Sequence, residues 1–393
     1  MFRLSRMPTA VAITFCLLTA SACTNTAMTP PQKPATRDAA ANQTEPKKPV
    51  IVALLAPATA ENAGAAQLGV ALGNAARMSA GDLNDPLFQL RVYDTGGRAN
   101  KARAAADQAI SSGAKLILGP LFSNNTKAVA GPAAAAGIKV ISFSTDSGIA
   151  GGPVYLSGFL PEMEARRITS FARSQGLNGM GIFYPENAAG RLALKGAQSG
   201  AGSALTVQTG FERTQQGISQ GTTDFANKVR TTGTRALFIP ESGQALGLIM
   251  ANLGAQEMKE GYQYLGHGQW NTRSTLDIEG TRGGWFPAPD PAALKNFVTR
   301  YQNTYGSVPP SLAVLGYDSV QIAGQMLAEA RATRSSDPFS TSALTRPQGF
   351  RGAVGPIRFG PDGLGERGLA ILQVGLGVFG TLDPAPVAFG AGS

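Results

Sequence analysis

The sequence predicts an α/β fold made of two consecutive units, each a parallel sheet with helices on both faces. Three observations predict it. Short apolar runs alternate with Ala-rich segments of helical spacing. The opening run is continuously apolar, as a strand buried on both faces must be. The alternation ends at Phe143 and restarts at Met180. With 393 residues and a hydrophobic share of 43%, the chain can bury two cores.

Val50 to Ala56 is a continuous apolar run closed by Pro57, and reads as a buried strand. Gly64 to Met78 carries Leu68, Ala71, Leu72, Ala75 and Ala76 at helical spacing. Phe88 to Tyr93 is a strand stopped by Asp94-Thr95-Gly96-Gly97. Ala99 to Ser111 is an Ala-rich helix, and Lys115 to Leu118 a short strand stopped by Gly119-Pro120. Asn125 to Ala136 is a helix disturbed at Gly131-Pro132, and Ile138 to Phe143 the next strand. In the second unit Met180 to Tyr184, Ala204 to Gln208, Ala236 to Ile239 and Tyr262 to Leu265 read as strands. Gly190 to Ser199, Asp224 to Thr231 and Gly243 to Leu253 are the helices between them. Ala292 to Tyr305 and Leu312 to Ala332 add two helices, and Ile357 to Phe359 and Ala370 to Val378 two late strands. Strand–helix–strand units of this kind cross over right-handedly.

The N-terminus reads as an address. Arg3 and Arg6 precede an apolar segment, Ala10 to Ala20, too short to span a bilayer. Ala20-Ser21-Ala22 then leads into Cys23, which looks like a lipoprotein signal of residues 1–22 with the lipid on the Cys23 thiol. An ordinary secretory peptide cut at the same small residues is the other reading. Residues 23–49, rich in Thr, Ala, Pro, Asn, Gln and Lys, read as a disordered tether between membrane and body.

Composition excludes several chemistries. Cys16, Cys23 and His267 are the whole complement of cysteine and histidine, too few for a Cys/His zinc site. No Walker A sequence is present, the G-x-S-x-G at Gly217–Gly221 and the G-x-G-x-x-G at Gly375–Gly380 do not open a helix directly after a strand, and a triad would need His267 as its base, so no hydrolase triad, phosphate loop or dinucleotide cofactor is expected. The net charge of +9 is spread along the chain, which argues against a nucleic-acid partner. A non-enzymatic binding role without metal or cofactor is what remains.

Open parallel sheets bind ligands beyond the carboxyl ends of their strands. In the first unit those positions hold Ser123 and Thr126, then Ser142, Ser144 and Thr145. In the second they hold Asn187, Glu241 and Gln269. Hydroxyls and amides at helix starts suit a carboxylate or another small polar group. The same residue types are ordinary helix N-caps, and sequence does not decide between the two. His267, Trp270 and Trp285 read as structural side chains, and Glu186 and Glu241 more simply as surface carboxylates than as an acid–base pair.

Three stretches resemble a type I periplasmic binding protein of the leucine/isoleucine/valine-binding branch. One is the opening strand with the Gly64-to-Asp82 helix and Tyr93-Asp94-Thr95. The second is Ile117-Leu118-Gly119-Pro120-Leu121 with Ser123, Thr126 and Val140-Ile141-Ser142. The third runs from Tyr305-Gly306-Ser307-Val308-Pro309-Pro310 through Gly316-Tyr317-Asp318 to Gly355-Pro356-Ile357-Arg358-Phe359-Gly360.

The resemblance implies an α/β fold of two doubly wound parallel-sheet lobes joined by three hinge crossings. These fall near Gly158-Phe159, near Gly284-Trp285-Phe286, and between Ser336 and Leu344. Lobe 1 is then 50–158 with 287–338, and lobe 2 is 159–286 with 339–393. Ser123 and the Ser142–Thr145 loop would hold a ligand carboxylate, with Asn187 and Gln269 across the cleft. The amino-acid binders carry a tyrosine where this chain has Ala188-Ala189, and a glutamate for the ligand ammonium where it has Gly268-Gln269. The implied role is capture of a small polar ligand, an amino acid, amide or similar, for an ABC permease. The alternative is a lipoprotein branch of the same fold that resembles activators of penicillin-binding peptidoglycan synthases, with the synthase as partner. By the sorting habit of such lipoproteins, Thr24 after Cys23 implies the outer membrane over the inner, on the periplasmic side.

Overall fold

In the computed structural model, residues 48–258 and 260–390 are described. The signal segment, Cys23 and the tether up to residue 47 lie outside the described residues.

The first sheet grows around β1 (Val50–Ala56), flanked by β2 (Phe88–Asp94) and β3 (Ala114–Leu118). Then come β4 (Lys139–Ser142) and β5 (Val154–Leu156), in the order β2-β1-β3-β4-β5, with every pairing parallel. Alternate residues of β1 feed two different cores, because successive side chains of a strand point to opposite faces. Val52, Leu54 and Ala56 pack toward Leu72 and Ala76 of α1 (Ala63–Leu83). Ala53 and Leu55 pack toward Ala102, Ala105 and Ala106 of α2 (Ala99–Ser111) and Val129 of α3 (Ser123–Ala135). Burial on both faces is why this strand carries no polar residue.

The second sheet has seven strands. After α4 (Pro161–Ser174) come β6 (Met180–Pro185), α5 (Ala188–Ala201), β7 (Leu205–Phe211) and α6 (Gln215–Thr232). Next are β8 (Ala236–Phe238), α7 (Gly243–Ala255), β9 (Gln263–Leu265), the single turn α8 (Arg273–Leu276) and β10 (Trp285–Ala288). Strands β7, β6, β8, β9 and β10 are parallel neighbours in that order. Helix α4 was not legible in the sequence. It packs on α5 through glycine: a Cβ on Gly196 would sit 2.0 Å from the Glu162 carbonyl oxygen.

The chain then returns to the first sheet through α9 (Pro291–Tyr305) and α10 (Val314–Thr333), which pack with α1. The turn α11 (Thr341–Leu344) leads into a three-stranded antiparallel sheet: β11 (Phe350–Gly352), β12 (Gly355–Phe359) and β13 (Gly365–Arg367). Two more strands, β14 (Ala370–Val374) and β15 (Phe379–Asp383), add antiparallel to β10. The second sheet is therefore mixed at one edge, whereas alternation in the sequence pointed to parallel strands throughout.

Two boundaries differ from the sequence reading. Phe339, Leu344, Phe350, Ile357 and Phe359 share one core with Leu54 and Ile141, so 339–367 packs with the first sheet and not the second. The third crossing accordingly lies at Gly368-Leu369, between β13 and β14, instead of between Ser336 and Leu344. The second follows Ala288, because Trp285–Ala288 is itself a strand of the second sheet. Around the first and third crossings sits a buried polar knot. The Arg367 guanidinium meets Asp318 Oδ2 at 2.7 Å and donates from Nε to the Ser157 carbonyl at 2.8 Å. Both side chains are buried, and the Arg367 guanidinium stacks over Phe159.

Candidate functional site

The helices of such units run antiparallel to their strands, so strand C-termini and helix N-termini collect at one edge of each sheet. In the first lobe Gly119, with φ +76°, turns the chain out of β3; a Cβ there would lie 2.4 Å from the Leu55 carbonyl oxygen. Helix α3 then begins at Ser123. No side chain caps it, since its N-cap position is Phe122, and the first amides of a helix have no intrahelical acceptor.

Three of the five first-lobe candidates fasten this edge together. Thr126 and Ser142 are fully buried, and their hydroxyls lie 2.8 Å apart. Ser142 Oγ donates to the Pro120 carbonyl and accepts from the Ser144 amide, each at 3.1 Å. Ser144 Oγ in turn accepts from the Asp146 amide. These hydroxyls shape the two loops. Ser123, half-buried, and Thr145, exposed, make no side-chain hydrogen bond among the described residues. Asn125, in the first turn of α3, is buried with its Nδ2 unpartnered. Sequence reading passed over Asn125 because an asparagine at a helix start signals only a cap.

In the second lobe Glu241 is not the surface carboxylate its sequence suggests: it is 5% exposed. Arg213 holds it from Nε at 2.9 Å and from its terminal nitrogen at 3.3 Å. Ser242 links it to Gln269, its amide donating to Glu241 Oε2 and its hydroxyl to Gln269 Oε1 at 2.9 Å. Asn187 stands apart from this pair and caps α5, accepting from the Gly190 amide at 2.9 Å. Trp270 is fully buried in the core, and its indole N–H donates to the Glu241 carbonyl.

The group sequence reading missed is Glu164, in the first turns of α4. It is 8% exposed, and its Oε2 accepts from the Gly268 amide at 3.0 Å. Burial pushes its carboxyl up to about 7, and that single amide offsets it only in part. Beside Gly268, burial holds His267 down to about 4, so its imidazole is neutral. His267 Nε2 and both carboxylate oxygens of Glu162 are buried without partners. A glutamate within a polar helix start gives no sequence signal that it will be buried.

Among the described residues no group of three or more His, Cys, Asp or Glu side chains converges on a metal position. No described helix is long and apolar enough to cross a membrane. Two surface cavities of about 300 and 260 Å³ lie elsewhere on the first lobe, one beside Glu329 and Ser340, the other beside Arg300 and Arg351.

Two sheet-centred lobes, with polar loops at the carboxyl ends of their strands, define a binding protein of the two-lobed α/β kind. The sequence profile of the periplasmic binding protein family matches residues 49–377, and the chain belongs to that family. Among solved structures it is similar to a chain assigned to a branched-chain amino acid ABC transporter of Rhodospirillum rubrum. That match has a TM-score of 0.71 at 18% identity and covers 85% of this chain and 100% of that one. An ABC transporter substrate-binding protein from Sphaerobacter thermophilus matches with a TM-score of 0.65 at 15% identity, over 86% and 97% of the two chains. The branched-chain amino acid binding protein LivJ of Streptococcus pneumoniae, in complex with isoleucine, matches with a TM-score of 0.56 at 18% identity, over 86% and 100%. At these identities the likeness is one of fold. Among curated proteins none matches.

Proposed function

We propose that this chain is the solute-capturing component of an ABC importer, and that it takes a small polar, amino-acid-like ligand between its lobes. The observation that carries the reading is the unspent polarity at the start of α3. Its first amides are uncapped, the buried Nδ2 of Asn125 has no partner, and the Ser123 hydroxyl is unbonded within the chain. Such an edge suits a carboxylate, which accepts from amides and meets the positive end of the helix dipole. Thr126, Ser142 and Ser144 hold the loops in place, and Thr145 adds a second free hydroxyl. Gln269 and Glu241 line the corresponding edge of the second lobe, where Asn187 serves as the cap of α5. Hinge motion at the crossings would close the lobes on the solute.

The test is a thermal-shift screen of the body from Pro49 onward against amino acids, amides, nucleosides and cell-wall fragments. A ligand at about 100 times its dissociation constant adds about 2.7 kcal/mol to stability. A saturable shift that is lost on replacing Ser123 and Asn125 with Ala supports the reading. A screen in which nothing shifts the body counts against it. Lipid attachment at Cys23, with the body held in the periplasm by the 23–49 tether, belongs to the same proposal. Labelled fatty acid should be incorporated into the chain and not into its Cys23→Ala variant.

A further inference from the structure

We propose that the first lobe holds a separate site for a small organic carboxylate, in the cavity between α9, α10 and the β11–β12 turn, with Arg351 as its anion-binding group. The site is independent of the interlobe edge, since none of the loops that end β1, β3 and β4 lines it. Its volume of about 260 Å³ lies just below the range of sites for drug-sized ligands, so it suits a smaller molecule. Four arginines lie between residues 339 and 367. Arg346, Arg358 and Arg367 each pair with a carboxylate, whereas Arg351 makes no side-chain hydrogen bond or ion pair among the described residues. The Arg351 backbone is nonetheless fixed. Gln325 Oε1 accepts from the Arg351 amide at 3.0 Å, and Gln325 Nε2 donates to the Arg351 carbonyl at 2.9 Å. Two residues on, the Ala353 amide donates to Asp318 Oδ1 at 2.7 Å, and Asp318 is held in turn by Arg367. This wall of the cavity is therefore set before any ligand arrives, and an exposed, unspent guanidinium belongs to it.

Charge and shape then select the ligand. Among the described residues no carboxylate lines the cavity. Its second cation, Arg300, is offset by Asp82 and also donates to the Tyr317 hydroxyl. Arg351 therefore leaves one positive charge uncompensated, which matches a monoanion better than a phosphate dianion. Asn296, exposed on α9 and without a side-chain bond of its own, adds an amide donor on the same cavity. The rest of the lining is apolar. The rings of Phe297 and Tyr317 meet edge to face with centroids 5.9 Å apart, and Ala293 and Ala353 complete the surface. A guanidinium grips a carboxylate through two parallel N–H···O bonds, and the rings take an apolar body behind it.

Ligand-observed fluorine NMR tests this on the purified chain with 4-fluorobenzoate as probe and neutral 4-fluorobenzamide as its matched control. The variants are Arg351→Gln, Arg351→Lys and Asn296→Ala, with a Ser123→Ala, Asn125→Ala double variant to report on the interlobe edge. The expected result is benzoate binding with a dissociation constant of about 1 mM or tighter, and the amide bound at least about 10-fold more weakly. Arg351→Gln should weaken the benzoate at least about 10-fold, Arg351→Lys and Asn296→Ala should weaken it less, and the double variant should leave it within about twofold. Any other pattern overturns the proposal. No binding to the unaltered chain removes the site, and equal binding of acid and amide removes the anion specificity. A benzoate signal that survives Arg351→Gln but is lost in the double variant belongs to the interlobe edge, and leaves the solute-binding reading standing. The Arg351 side chain is exposed and unbonded, so its replacement should not disturb the fold; cooperative thermal unfolding of each variant checks this.

Discussion

Replacing Glu164 with Gln should stabilise the ligand-free protein at high pH and not at low pH. The ordinary carboxyl value is 4.5, and burial raises it to about 7 in the fold. Below pH 4.5 the group is protonated in both states and contributes nothing. As pH climbs from 4.5 to 7 the unfolded chain ionises while the folded one keeps its proton, so folding is progressively disfavoured. The gap between 4.5 and about 7, at about 1.4 kcal/mol per pH unit, makes this cost about 3 kcal/mol above pH 7. The glutamine amide keeps the acceptor for the Gly268 N–H and never ionises. His267 works in the opposite sense. Its value is depressed from 6.5 to about 4, so its contribution is present above pH 6.5 and lost as pH falls toward 4. Comparing the two chains at each pH cancels the histidine. Urea unfolding at half-unit steps from pH 4.5 to 8.5, with equal m values, reads the increment. It should grow by about 3 kcal/mol across that range. An increment of the same size at pH 4.5 and pH 8 would refute the argument, because a buried carboxyl whose charge is already compensated gives no such slope.

Three further predictions follow from particular contacts. Gly268→Ala should cost about 1–3 kcal/mol, because its Cβ collides with the Glu164 carboxylate, and the cost should largely vanish in a Glu164→Ala background; a double-mutant cycle on urea midpoints measures this. Asp318→Ala leaves the buried Arg367 guanidinium without its carboxylate and should cost about 3–5 kcal/mol; a loss under 1 kcal/mol would mean that the knot at the crossings does not hold. Asn187→Ala removes only a helix cap and should cost about 1 kcal/mol while leaving solute affinity within about twofold; a large affinity loss in calorimetry would return Asn187 to the binding edge.

Legibility in the sequence followed burial. Strand β1 was readable to the residue, because a strand covered on both faces must be apolar throughout. Helix α2 was equally plain, since its alanines face the sheet. Strands β5 and β10 and helix α4 escaped notice: the two strands are three and four residues long, and α4 starts among acids and carries a polar outer face. The candidate residues were found as positions more than as roles. Ser142 and Glu241 stand where the sequence put them, at strand ends, yet both are spent on neighbours within the chain. Asn125 and Glu164 were missed because burial, not residue type, sets them apart.

The sequence by itself determined the two-unit α/β plan, the polar loops that end its strands and the chemistries its composition rules out. These are local matters, carried by hydrophobic period, turn residues and the scarcity of histidine and cysteine. Only the tertiary structure decided that residues 339–367 return to the first lobe. The aromatic residues Phe339, Phe350 and Phe359 carry no mark of which sheet they cover, and they settle where the first core has room for them. It likewise decided that Glu164 sits beneath Gly268, 104 positions away in the chain. That placement depends on the close packing of α4 at the glycines of α5 and on a missing side chain in a distant loop.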